Sequence, residues 1–151
     1  MANEPLAITS NSPKQTLNIA REFAKLLSGG EKIALLGELG SGKTTFVKGV
    51  ARGLGIKKKI TSPTFVLAKL YQFGGKPKRF LHHLDLYRLN QHSELADLGL
   101  AEIMDGKTDI VLVEWAERAQ KYFPRGSVII KIAPPKGKNE NVRLIKIWTK
   151  K

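Results

Sequence analysis

The stretch GELGSGKTTF, Gly37 to Phe46, matches G-x-x-x-x-G-K-[ST] at every fixed position. Glycines at this spacing let the backbone of Glu38, Leu39, Gly40, Ser41 and Gly42 wrap inward, so that successive N–H groups point at phosphate oxygens. The helix that follows adds the positive end of its dipole. Lys43 is placed to reach the β- and γ-phosphates of a nucleotide, Thr44 to ligate Mg²⁺ through its hydroxyl, and Thr45 to contact the α-phosphate side. The bland alternative is a glycine-rich strand-to-helix turn that binds nothing.

A phosphate loop also needs an acid at the end of a neighbouring buried strand, and DIVLVEW supplies Glu114 directly after an apolar run. A carboxylate there is costly unless it has a task. Asp85, in HHLDLYRL, is the second candidate: it could polarise the attacking water or bind the metal through water, although alone it could equally be a turn residue. TSPTF, Thr61 to Phe65, sets a proline and three hydroxyls in a loop soon after the helix, where nucleotide-sensing switches sit, and Thr64 could sense the γ-phosphate. His82 and His83 alternate along a strand, so at most one faces any given site, and a surface or satisfied histidine is the simpler reading of each. Trp115 reads first as core, yet beside Glu114 it would report on the site by fluorescence.

The elements that must carry these residues are legible around them. Ser12 followed by Pro13 signals a helix start, and Leu17, Ala20, Phe23, Ala24 and Leu27 recur at helical spacing until Ser28-Gly29-Gly30. KIALLG, Lys32 to Gly37, is a short apolar run expected of a buried parallel strand, and Phe46, Val47, Val50, Ala51 and Leu54 give the helix after the loop. TFVLAKLYQF and RFLHHLDLY, either side of QFGGKPKR, predict an antiparallel hairpin. SELADLGLAEIM predicts one capped helix, DIVLVEW a buried strand, and AERAQKYF a short helix closed by Pro124. SVIIKIA and VRLIKIW flank a turn-like PPKGKNEN. The expectation is an α/β, three-layer sandwich of the P-loop NTPase kind, with a mixed, mostly parallel sheet and a C-terminal β-hairpin, as a single domain over residues 1–151.

Composition bounds the rest. With 151 residues and 42% hydrophobic content the chain can build one core. No run of about eighteen apolar residues is present to span a bilayer, and MANEPLAITS lacks signal-peptide features, so a cytoplasmic location is expected. Without cysteine there is no disulfide-linked partner and no thiolate metal site, and three scattered histidines leave a hard, oxygen-ligated cation such as Mg²⁺. The net charge of +13 is blocked: ten bases and no acid from Leu39 to Leu84, eight acids against two bases from 85 to 117, then ten bases against Glu140 alone. A polyanion partner and a lysine-rich solvated surface both fit that pattern.

Taken together, GELGSGKTTF, SPTF, HLDLYRL, ELADLGL and VEWAER resemble, in order and spacing, the bacterial TsaE family, also called YjeE, over residues 32 to 118. The resemblance implies a small P-loop ATPase using ATP and Mg²⁺. Such a protein works with TsaB and TsaD, which install the threonylcarbamoyl group on adenosine of certain tRNAs, without transferring the group itself; tRNA would be met directly or indirectly. It further implies Lys43 on the phosphates, Thr44 and Glu114 on Mg²⁺, Thr64 in the switch-like loop, Asp85 required for hydrolysis, Trp115 next to the nucleotide, and Ser12 in the region that touches adenine. The C-terminal third carries no recognised family signature.

Two other classes compete. A small-molecule kinase could use the same loop, but its arginine-rich lid finds no counterpart among arginines that never cluster. A basic nucleic-acid-binding module with a vestigial site would leave Asp85 and Glu114 without purpose. No guanine-reading N-K-x-D-like motif argues for GTP. The expected cycle is that ATP·Mg²⁺ orders the Thr61 to Phe65 loop, partners bind the ordered state, and hydrolysis releases them.

Overall fold

The computed structural model describes residues 4–63, 67–89, 93–134 and 139–151. Its elements run β1 (Leu6–Ser10), α1 (Pro13–Ala24), β2 (Lys32–Leu36), α2 (Lys43–Gly53), β3 (Ala68–Phe73), β4 (Arg79–Asp85), α3 (Ser93–Asp97), α4 (Leu100–Asp105), β5 (Ile110–Glu114), a 3-10 helix (Ala116–Tyr122), β6 (Val128–Ala133) and β7 (Arg143–Thr149). The strands form one seven-stranded sheet in the order β1-β7-β6-β2-β5-β4-β3. Strands β6, β2, β5 and β4 are mutually parallel, and β1 points the same way because it pairs antiparallel with the reversed β7; β7 and β3 are the two that oppose them. The expected mixed, mostly parallel sheet and the C-terminal hairpin are both present.

Period-two alternation divides each central strand between two cores. Ile33 and Leu35 of β2, Leu81 of β4 and Ile110 and Leu112 of β5 face α1 and α2, where Phe46, Val47 and Val50 are fully buried. Ala34, Leu84, Val111 and Val113 face the other way, against Leu95, Leu100, Met104 and Ala119. Helices therefore cover both faces of the parallel strands, the arrangement such sheets require.

Two expectations need correction, and one strand has no counterpart among them. SELADLGLAEIM is not one helix: Gly99 takes φ +74 and separates α3 from α4. A residue in the left-handed region ends a helix, so the glycine outranked the apolar spacing. The first helix stops at Ala24, before Leu27. Leu6–Ser10, not expected as a strand, pairs along its length with β7 and closes that edge of the sheet.

Candidate functional site

Three strand ends meet in one crevice. The glycine loop leaves the end of β2, Glu114 is the last residue of β5 and Asp85 the last of β4, and Asp85 stands opposite Glu114 in the register. Crevices beyond the carboxyl ends of parallel strands are where α/β sheets take their ligands. This one has a volume of about 460 Å³, and its lining includes Leu39 through Thr45, Ser62, Asp85, Tyr87, Glu114 and Trp115.

The loop is shaped for an anion. Gly42 caps α2 with φ +102 and no side chain closes that end, so the first-turn N–H groups are left for a ligand. Gly37 must be glycine for a different reason: a Cβ there would meet Ile132 O and Ser41 Oγ, each at 2.6 Å. Ser41 Oγ is itself buried with no hydrogen-bond partner among the described residues. The Lys43 amine donates to the carbonyls of Gly37 and Glu38, the latter at 2.9 Å, and lies 4.1 Å from the centre of the Trp115 ring. Burial pushes it below the ordinary lysine range, while the charges of Glu114, Glu117, Asp85 and Glu38 oppose the shift.

Thr44 Oγ1 donates to Glu114 Oε1 at 3.0 Å, joining a hydroxyl from the first turn of α2 to a carboxylate 70 residues away. Glu114 is only 2% exposed. A buried carboxylate costs several kcal/mol unless paired, and here Thr44 holds one oxygen while His83 Nε2 lies 2.6 Å from the other. Hydroxyl and carboxylate oxygens side by side at an anion-binding loop are the donor set Mg²⁺ takes alongside nucleotide phosphates, so these residues fit that ion.

Asp85 is clasped on three sides. Its Oδ1 accepts Tyr87 N–H at 3.0 Å, its Oδ2 accepts the Ser62 hydroxyl at 3.0 Å, and its own N–H donates to Leu67 O at 3.0 Å. The loop after α2 is thereby tied to Asp85 at both of its described ends.

Of the residues singled out in the sequence, Leu39, Gly40, Ser41, Gly42, Lys43, Thr44, Thr45, Asp85, Glu114 and Trp115 come together in this crevice. Glu38 contributes its backbone carbonyl to Lys43, and its side chain is exposed. Ser12 is not among the lining residues of this crevice; its hydroxyl accepts Gln15 N–H at 3.0 Å as the cap of α1. Thr64 lies outside the described residues. The half-buried Trp115 adopts φ +57 with its ring centre 5.0 Å from that of Tyr87; it lines the crevice and also packs against the second core. Sequence reasoning read His83 as a surface or satisfied histidine and gave Ser62 and Arg143 no place in the site. The guanidinium of Arg143 donates through Nε to Ser41 O at 3.1 Å and through Nη2 to Gly40 O at 3.2 Å. For His83 the one available signal was its place two residues before Asp85, on the same strand face.

Strand, glycine loop and helix, with an acid ending the neighbouring parallel strand, define a member of the P-loop class of α/β proteins. The family profile described as "Threonylcarbamoyl adenosine biosynthesis protein TsaE" matches residues 10–143. The chain belongs to the TsaE family. It is 43% identical over 124 residues to the "tRNA threonylcarbamoyladenosine biosynthesis protein TsaE" of Bacillus subtilis, covering 81% of this chain and 75% of that one. Its identity to the protein of the same description from Treponema pallidum is 38% over 123 residues, 82% of this chain and 87% of the relative. Among solved structures, Bacillus subtilis YdiB superposes with a TM-score of 0.78 at 32% identity, over 97% of this chain and 86% of that one. Among the described residues, no helix is long and apolar enough to cross a membrane.

Proposed function

We propose that this protein serves tRNA threonylcarbamoyladenosine biosynthesis as an ATP-binding, slowly ATP-hydrolysing accessory protein, a nucleotide-dependent partner of TsaB and TsaD. The family assignment supports the pathway. The observation that carries the ATPase reading is the Thr44 to Glu114 hydrogen bond at 3.0 Å, beside an open helix N-terminus and within the same crevice as Asp85.

In this reading the Gly40 to Thr45 backbone and the Lys43 amine hold the phosphates. Thr44 and Glu114 hold Mg²⁺, which supplies charge neutralisation on the phosphate oxygens. Asp85 accepts a proton from the water whose oxygen attacks the γ-phosphorus as the bond to the β-phosphate oxygen breaks, releasing ADP and phosphate. Lys43 must leave the Gly37 and Glu38 carbonyls to meet the nucleotide, and its departure alters the surroundings of Trp115. Ser62 links Asp85 to the loop that precedes Thr64, giving that loop a route by which to respond to nucleotide and alter partner binding.

The test is ATP turnover by the purified protein, alone and with TsaB and TsaD, while the partner-bound complex is followed as nucleotide is added and consumed. Assembly that needs ATP and decays with turnover is the expected result. Turnover that requires a small acceptor molecule and ignores both partners would overturn it.

A further inference from the structure

Glu114 offers its two oxygens to different neighbours: Oε1 takes the Thr44 hydroxyl at 3.0 Å, and Oε2 lies 2.6 Å from His83 Nε2. His83 is fully buried, and its other ring nitrogen, Nδ1, has no hydrogen-bond partner among the described residues. An ionised carboxylate can only accept. The 2.6 Å contact is therefore the ring's Nε2–H donating to Glu114 Oε2.

The backbone explains how the ring arrives there. Leu81, His83 and Asp85 share one face of β4, and the register sets His83 opposite Leu112 and Asp85 opposite Glu114. Leu81 and Leu112 on that face are fully buried, so a leucine at position 83 would simply extend the core beneath α2. An imidazole in that place gives up apolar packing for one directed hydrogen bond.

We propose that His83 is a positioning residue for the metal end of the site. Its Nε2–H pins Glu114 Oε2, which fixes the carboxylate plane and presents Oε1 together with the Thr44 hydroxyl to a divalent cation. The role rests on the ATP·Mg²⁺ reading given above. His83 itself touches neither cation nor nucleotide; its loss leaves the carboxylate present but free to rotate. Hydrogen-bonding partners of ligating groups contribute about 10- to 100-fold in metal affinity or activity.

The experiment compares wild type with His83→Leu, which keeps apolar bulk without a donor, and His83→Gln, whose amide nitrogen can take the place of Nε2. Calorimetry measures ATP affinity in EDTA and across a Mg²⁺ titration, and turnover is recorded over the same titration. In His83→Leu the half-saturating Mg²⁺ concentration rises about 10- to 100-fold, with ATP affinity in EDTA unchanged, and His83→Gln recovers most of that loss. If both variants show the Mg²⁺ dependence of wild type, or if both lose ATP affinity equally with and without Mg²⁺, His83 does not position the metal site. A wild type with no Mg²⁺ dependence in either measurement overturns the ATP·Mg²⁺ reading itself, and this role falls with it.

Discussion

Arg143, the first residue of the last strand, grips the outside of the phosphate loop. Its guanidinium donates to the carbonyls of Gly40 and Ser41, 103 and 102 residues earlier in the chain, and to those of Glu140 and Val142. Peptide groups are planar, so holding the Ser41 carbonyl fixes the Gly42 N–H on the opposite side of the chain, while the Ser41 N–H donates to Glu38 O at 3.0 Å within the loop. Arg143→Ala should weaken ATP binding about 10-fold, corresponding to one charged hydrogen bond of about 1.5 kcal/mol, without loss of fold. Calorimetric titration with ATP checks this, and undiminished affinity would reduce Arg143 to a tie between strand and loop.

Asp85 and Lys43 should separate chemistry from binding. Asp85→Ala is expected to lower turnover about 100-fold or more while changing ATP affinity only slightly, because the loop's backbone donors remain. Lys43→Ala removes a charged phosphate contact and should weaken ATP affinity by about 10- to 100-fold. Equilibrium binding and single-turnover hydrolysis measured on both variants distinguish the two effects; equal loss of both in Asp85→Ala would make Asp85 structural.

Helices α1 and α2 are held close by glycine. An added Cβ at Gly49 would meet Leu17 O at 2.4 Å and Ala20 Cβ at 2.5 Å, across the seam between α1 and α2. Alanine favours a helix interior over glycine by about 1 kcal/mol, but the clash forces the helices apart at a cost of up to about 3 kcal/mol. Overpacking wins, so Gly49→Ala should lower the urea midpoint, and a raised midpoint would show that the seam yields.

Stability should also carry an acid signature at the far end of β4 and β5. Asp109 Oδ2 lies 2.9 Å from His82 Nε2, and Oδ1 accepts Phe80 N–H at 2.9 Å. Burial acts to raise the Asp109 pKa, but His82 and the Phe80 N–H together outweigh it and hold the carboxyl below the ordinary aspartate range. A depressed folded value means stability that is complete above the unfolded value, about 4, and lost as pH falls through the folded one. Wild type should therefore exceed Asp109→Asn by about 1 to 2 kcal/mol at neutral pH, and melting curves should converge as the solution is taken below about pH 4. A gap that persists unchanged in acid would exclude this cause.

The phosphate loop, the helix it opens and the two acids were legible because each depends on local spacing. A glycine pattern defines the backbone of six residues, and an acid directly after an apolar run ends a buried strand wherever that strand pairs. Glu114 and Asp85 could be named as partners of the loop without knowing that they would stand side by side in the register. Gly99 was also readable as a break between two short helices, but the apolar spacing on either side masked it.

Other features existed only once the sheet was assembled. Leu6–Ser10 has an exposed, weakly patterned sequence, and it is a strand because β7 offers it an edge. His83 meets Glu114 across 31 residues, and Arg143 meets the loop across more than a hundred. No pattern within either segment encodes such a partner, since the contact depends on strand order and register, which are set by the packing of the whole sheet. The sequence determined which residues could do chemistry and where the phosphate loop lies; the tertiary structure decided which buried polar groups aim them, because those contacts join strands far apart in the chain.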